Sequence, residues 1–325
     1  MTVLVTGGTG PIGRAVIQLL LDRGVRLRVV TRRPHRALEY FDSRVTAFEW
    51  HPRTEPIPAP AIEGVERIIH LMGAPMSGPI SRTRRAHIQS SRTAGTAHIA
   101  AVLTRPIHLI VASSALVYGL GAGPPVSETS SIRPPKDKLA RALIACEEAA
   151  EAVRTSGSVV THVRLGHVIG TEETGPIAAL MRLHRRGLTW RDPAPDAVVS
   201  AIDAEDAAAL IAYLALSPPI SGPVHAVAPT PLPSAALKQE LQKASGRKRF
   251  AALPRLALKP HLGAVADSLY NRQQIVPQRA LDAGFAFRHP DPIESIRAAL
   301  QIPAGAVPKP DRMALLTSLL KPSRS

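Results

Sequence analysis

The spacing of apolar and polar positions changes twice within the first thirty residues. Thr2 to Val5 has the pattern of a short buried strand. From Pro11 to Leu21, Ile12, Val16, Leu19 and Leu20 recur at helical spacing, and Gly24 ends the segment. Leu27 to Val30 then predicts a second strand, so the opening spells strand, loop, helix, strand. Further strands are predicted over Arg67–Leu71, Pro106–Ala112 and Val159–Leu165, with helices over Gln89–Leu103, Leu139–Arg154 and Asp203–Leu216. Alternation of this kind predicts an α/β protein with a doubly wound parallel sheet covered on both faces.

Between Gly170 and Asp196 the pattern is broken by Gly-Pro, Arg-Arg-Gly and Asp-Pro-Ala-Pro, which predicts an excursion away from the sheet. From Pro229 the chain predicts a second, mainly helical lobe, with helices over Ser234–Ala244, Leu253–Leu269 and Ile293–Leu300. The expected division is 1–228 for the sheet domain, with 170–196 contributing to the lobe, 229–302 for the lobe, and 303–325 for a tail. A short apolar helix is predicted in that tail, over Met313–Leu320. There is no internal repeat.

At 325 residues and 45% hydrophobic content, the chain is long and apolar enough for a large α/β domain with a smaller lobe. No apolar run approaches the ~20 residues of a membrane span, and no secretory leader is recognised, which sets a cytoplasmic expectation. The single cysteine, Cys146, excludes an internal disulfide framework and a cysteine-rich metal site, and no metal is expected. The net charge of +15 attracts anionic ligands in general. Its arginines are scattered in small clusters and aromatics are 3% of the chain, which argues against nucleic acid as a partner.

The stretch VTGGTGPIG, Val5 to Gly13, carries the candidate chemistry. Gly7 permits the turn off the strand, Gly10 lets backbone amides approach a pyrophosphate, and Gly13 lets the helix pack on the sheet. The helix N-terminus adds N–H groups and a partial positive charge for the phosphates. At the end of the second strand, where an acidic residue would bind the ribose of NAD, the chain has Thr31, Arg32 and Arg33. A guanidinium pair there reads a 2′-phosphate, so NADP (NADPH) is expected in preference to NAD.

VASSALVYG, Val111 to Gly119, together with the glycine loop, resembles the short-chain dehydrogenase/reductase superfamily in its extended, epimerase-like branch. Several further segments resemble an atypical group within it, the epimerase/dehydratase proteins with a distinctive C-terminal domain. These are IHLMGAPM (Ile69–Met76), Ser91-Arg92, VRLGHVIG (Val163–Gly170), Asp206 and VPQRALDAGFAFRHPDPIESIRAAL (Val276–Leu300). The resemblance covers residues 1 to about 300 and implies a Rossmann-type sheet with a substrate lobe. Expected cofactor contacts are Gly7, Thr9, Gly10, Pro11, Ile12, Gly13, Thr31, Arg32, Arg33, Leu71, Met72, Gly73, Ser113, Leu165 and Gly166. Ser114 matches the serine that faces the nicotinamide.

The superfamily's Tyr-x-x-x-Lys pair falls on Leu139 and Leu143, neither of which moves a proton; Lys136 and Lys138 are nearby but out of place. Candidate replacements are Tyr118, His70 and His167, each of which also has a structural reading, and water. The group's Trp and His in its W-I-H segment become Ala201 and Asp203, and its W-E pair reads Cys146-Glu147. The expected function is nicotinamide hydride transfer on a small carbonyl or hydroxyl substrate, as an oxidoreductase or epimerase-like enzyme. The alternative is a catalytically inactive NADP-binding regulatory or structural partner. A homodimer is compatible with both.

Overall fold

The computed structural model describes residues 1–74, 81–132, 137–170, 175–191, 194–263 and 265–301. The tail from Pro303 with its expected Met313–Leu320 helix, and Pro75, Met76 and Lys136, lie outside them. The first half of the chain forms β1 (Thr2–Thr6), α1 (Pro11–Leu21), β2 (Arg26–Thr31), α2 (Pro34–Phe41), β3 (Val45–Glu49), α3 (Ala59–Ile62), β4 (Arg67–His70), α4 (Arg82–Val102), β5 (His108–Ser114) and α5 (Lys138–Glu151). The next elements are β6 (Val159–Leu165), β7 (His167–Ile169), α6 (Pro176–Arg185), β8 (Leu188–Trp190), β9 (Val198–Val199), β10 (Ala201–Asp203), α7 (Ala204–Leu216) and β11 (Gly222–Ala226). The last part adds β12 (Leu232–Pro233), α8 (Ser234–Ala244), β13 (Ala251–Leu253), α9 (Arg255–Leu262), α10 (Val265–Ser268), α11 (Gln278–Asp282) and α12 (Pro292–Gln301).

Seven of these strands form one parallel sheet in the order β11-β6-β5-β4-β1-β2-β3. The Rossmann-type fold follows from the local pattern: β1 is buried along its whole length, and α1 buries Gly13, Val16, Ile17 and Leu20 against it. The order reverses beside β1, because β2 leaves to one side and β4 to the other. That reversal opens a crevice at the carboxyl ends of β1 and β4, where open α/β sheets bind ligands.

Among the described residues the core has three main bodies, one of them gathering Leu4, Trp50, Ile68, Ile99 and Leu109. On the sheet side, Val5, Val16, Ile69, Ile110 and Val163 pack with the alanine-rich α7, and Ala280 and Phe285 from the C-terminal region join them. A second cluster unites Ile177, Leu180 and Trp190 with Leu237, Leu258, Leu262 and Ile296. The stretch after β7 thus packs with the C-terminal helices, and β8 pairs in parallel with β13. No helix among the described residues is long and apolar enough to cross a membrane.

Several local expectations change. The helix expected over Leu253–Leu269 is two helices: α9 stops at Gly263, whose φ of 59° leaves the helical region, and α10 restarts at Val265. The helix expected from Gln89 begins at Arg82, where the Ser81 hydroxyl accepts the Arg84 N–H. Two sheet strands, β3 and β11, were not expected. The strand expected over Pro106–Ala112 runs two residues later, which places Ser113 and Ser114 inside its final turn of pleat.

Candidate functional site

The glycine loop between β1 and α1 is a tight cradle. Gly7 has φ of 70°, and the Gly10 N–H donates to its carbonyl at 3.0 Å. A β carbon on Gly13 would lie 2.3 Å from the same Gly7 oxygen, so only hydrogen fits. Gly10 caps α1 without a side chain, Pro11 occupies the first turn, and no acidic residue stands there. The positive end of α1 is therefore left without a side-chain acceptor, which suits a bound phosphate. Gly13→Ala is expected to force this turn open. NADPH affinity should fall by more than tenfold and the melting temperature should drop, for an overpacking cost of about 1–3 kcal/mol. Nucleotide titration beside thermal melts would check it.

At the far end of β2, Arg32 and Arg33 are exposed, and Arg33 caps α2 while its N–H donates to Thr31 Oγ1 at 3.3 Å. The two guanidinium groups are thus free to reach a ligand lying across the edge of β2.

From the crevice a cleft of about 300 Å³ extends over the carboxyl ends of β4, β5 and β6. Leu71 and Met72 line it from beyond β4, Ser113 and Ser114 from β5, and Leu165, Gly166 and His167 from the β6–β7 junction. Its opposite wall comes from the C-terminal region, through Val265, Ser268, Asn271 and Ile275. Ser114 Oγ accepts the Leu116 N–H at 3.3 Å and donates to the Leu165 carbonyl over a long 3.5 Å. Its hydroxyl proton is weakly held. Leu143 lines the cleft from α5, and Leu139 packs one turn away with Ile88 and Val117.

His167 also reaches the cleft. Ser268 Oγ donates to the Val265 carbonyl at 2.9 Å, so it accepts from His167 Nε2 at 2.7 Å, which ties β7 to α10. Burial pushes the His167 pKa down to about 4, so the imidazole is neutral at physiological pH. His70 and Tyr118 do not line the cleft. His70 is buried, shares a 2.9 Å hydrogen bond with Thr6 through Nδ1, and leaves Nε2 without a partner. Burial and then the Arg92 charge push its pKa to about 4. Tyr118 belongs to an interior network instead.

That network was only partly legible in the sequence. Arg164 Nε and Nη2 donate to the two Glu147 carboxylate oxygens at 2.9 and 2.7 Å, and Ser113 Oγ donates to Glu147 Oε1 at 2.5 Å. Arg164 Nη1 donates to Tyr118 Oη at 2.6 Å. His225 Nδ1 donates to the Val276 carbonyl at 2.8 Å, so its Nε2 accepts from Tyr118 Oη at 2.8 Å. Burial opposes the Glu147 charge, but the Arg164 hydrogen bonds and charge outweigh it and hold the carboxylate below its usual range. Burial raises the Tyr118 pKa, so the phenol keeps its proton. A charged residue inside the apolar run Val159–Leu165 was the available signal, because buried arginine needs a partner. Arg92 was marked only through the Ser91-Arg92 resemblance, and Ser268 and Asn271 carried no signal.

Comparison with known proteins places this geometry in a family. The profile of the NAD dependent epimerase/dehydratase family matches residues 3–218. The chain belongs to that family. A second profile, a domain of unknown function (DUF1731), matches residues 253–299, which include α9, α11 and most of α12. The mouse epimerase family protein SDR39U1 is 28% identical over 93% of this chain and 99% of its own length. Among solved structures, human epimerase family protein SDR39U1 with NADPH is similar at a TM-score of 0.74 and 22% identity, covering 93% of this chain and 99% of that one. UDP-glucose 4-epimerase from Thermotoga maritima with UDP-glucose is similar at 0.72 and 19%, covering 93% and 98%.

Proposed function

We propose that this epimerase/dehydratase-family chain is an NADP-dependent oxidoreductase or epimerase-like enzyme acting on a small carbonyl or hydroxyl substrate. The observation that carries the proposal is that Gly7 of the glycine loop abuts the backbone of Leu71 and Met72, which line the same cleft as Ser114. The family match and the NADPH-bound human structure support the choice of cofactor class. A bound nicotinamide dinucleotide would supply hydride exchange at carbon; the residues of this chain bind and orient it and the substrate. Gly7 to Gly13 and the first turn of α1 hold the diphosphate. Arg32 and Arg33 hold a 2′-phosphate.

Ser114 is the residue this reading places against the reacting oxygen. Its Oγ is fixed by the Leu116 N–H, and its proton exchanges the long bond to Leu165 for a bond to a substrate carbonyl. Leu139 and Leu143 cannot transfer a proton, and His167 accepts one only near pH 4. Water reaching the cleft therefore completes proton exchange through Ser114 Oγ.

The test is nucleotide titration followed by nicotinamide fluorescence. NADPH is expected to bind more tightly than NADH, and Arg32→Ala or Arg33→Ala to weaken NADPH about tenfold while leaving NADH unchanged. Failure of NADP(H) and NAD(H) alike to bind would overturn the proposal. Tight NADPH binding with no turnover of any carbonyl substrate, and no change on Ser114→Ala, would favour the inactive partner.

A further inference from the structure

Among the described residues, the lining of the cleft offers few free groups for a sugar or a diphosphate. Apolar side chains line it from several elements: Leu116 and Leu120 after β5, Val168 on β7, Pro176 on α6, and Val265 and Ile275 from the C-terminal region. The polar groups among them are already engaged inside the protein. Ser268 is bonded to His167 and to the Val265 carbonyl. Asn271 uses both ends of its amide, accepting the Gly121 N–H at 2.9 Å and donating to the Gln273 carbonyl at 3.0 Å. His167 is neutral. Only the Ser200 hydroxyl makes no side-chain hydrogen bond to the described residues.

The single cation among the described lining residues is Arg92. Its Nη1 donates to the Ala74 and Ile88 carbonyls at 3.2 and 3.1 Å, which fixes it beside the loop that follows β4. A polyol offers many donors and acceptors that would be stripped of water against leucine, valine and isoleucine, and each would go unpaired. Among the described lining residues a diphosphate would find no counter-charge other than Arg92. A compact apolar molecule loses little on entry, and its one carbonyl oxygen meets the Ser114 hydroxyl.

We infer that the substrate is a compact, neutral, largely apolar ketone or the corresponding secondary alcohol, and that nucleotide sugars are not accepted. This rests on the proposed assignment of Ser114 and NADPH to the same cleft. Reduction then balances: the carbonyl carbon receives a hydride from NADPH, the oxygen receives the Ser114 proton, which water replaces, and the alcohol, NADP⁺ and a hydroxide released to solvent result.

Calorimetric titration of the full chain, with and without saturating NADPH, tests the inference with 1-tetralone, acetophenone, benzoylformate and UDP-glucose as probes. The neutral ketones are expected to bind with a negative heat-capacity change, the mark of apolar burial, and UDP-glucose to give no heat. Leu120 is 43% exposed and tolerates a charge without disturbing the core. Leu120→Asp should weaken 1-tetralone about tenfold and leave NADPH binding unchanged. Binding of UDP-glucose as tight as that of the ketones would overturn the inference. So would silence of all four probes, or benzoylformate binding far more tightly than acetophenone, which would point to Arg92 as an anion anchor. NADPH binding, read in the same experiment, separates failure here from failure of the cofactor reading.

Discussion

Glu147→Ala is expected to destabilise this protein by about 3–5 kcal/mol, the largest effect of any single substitution considered. The carboxylate accepts two hydrogen bonds from Arg164 and one from Ser113, and the side chains of the pair are only 7% and 9% exposed. Removing it leaves a guanidinium in the sheet with the neutral Tyr118 hydroxyl as its remaining side-chain partner. Chemical denaturation would show a lower midpoint with an unchanged slope. The double variant Glu147→Leu with Arg164→Met separates charge from packing, because it removes both ions and keeps apolar volume. Its stability should recover much of the loss. If Glu147→Ala alone costs under about 1 kcal/mol, the pair is solvated and the interior network is not what orders Ser113.

The second large effect is acid sensitivity. Burial holds His70, His108 and His167 each at about 4, with the charges of Arg92 and Arg67 adding to the effect at His70 and His108. In the unfolded chain the same imidazoles take up protons near pH 6.5. Between pH 6.5 and 4 the unfolded state therefore binds more protons, and stability falls as pH falls through that window. Above pH 6.5 the three groups contribute no slope. Each displacement is worth about 3 kcal/mol once pH reaches 4, of the same order as a large share of a domain's total stability. Denaturation midpoints measured from pH 7.5 to 4.5 should drop steeply below 6.5. Imidazole resonances of the native protein should show these three still neutral at pH 5. A native His167 that titrates near 6.5 would restore it as an acid in the cleft and remove its share of the slope.

These predictions divide along the line between what is local in the chain and what is not. The strand, glycine loop, helix and second strand of the opening were legible because each signal lies within a few residues: apolar period, turn glycine, proline at the first helical position. The bounds of α1, β6 and α8 agree with their apolar patterns to the residue. By contrast, β3 and β11 are short strands at the two edges of the sheet, and nothing in Val45–Glu49 or Gly222–Ala226 announces pairing with β2 or β6. The break at Gly263 was missed because the apolar residues on either side continue the helical spacing across it.

The sequence by itself determined the central strands of the sheet, the glycine loop ahead of α1, and the position of Ser113 and Ser114 at the end of a strand. The tertiary structure alone decided which side chains meet around them. Glu147 and Arg164 stand on α5 and β6, and their pairing depends on how that helix packs over that strand. His225 comes from the sheet edge to accept a hydrogen bond from the Tyr118 hydroxyl, which holds the tyrosine in the interior network. Val265, Ser268, Asn271 and Ile275 lie about 150 residues beyond Ser114 and become its opposite wall only when the C-terminal helices pack with α6. Side-chain periodicity reports which face of an element is buried, not which distant element buries it, and the character of the cleft depends on the second.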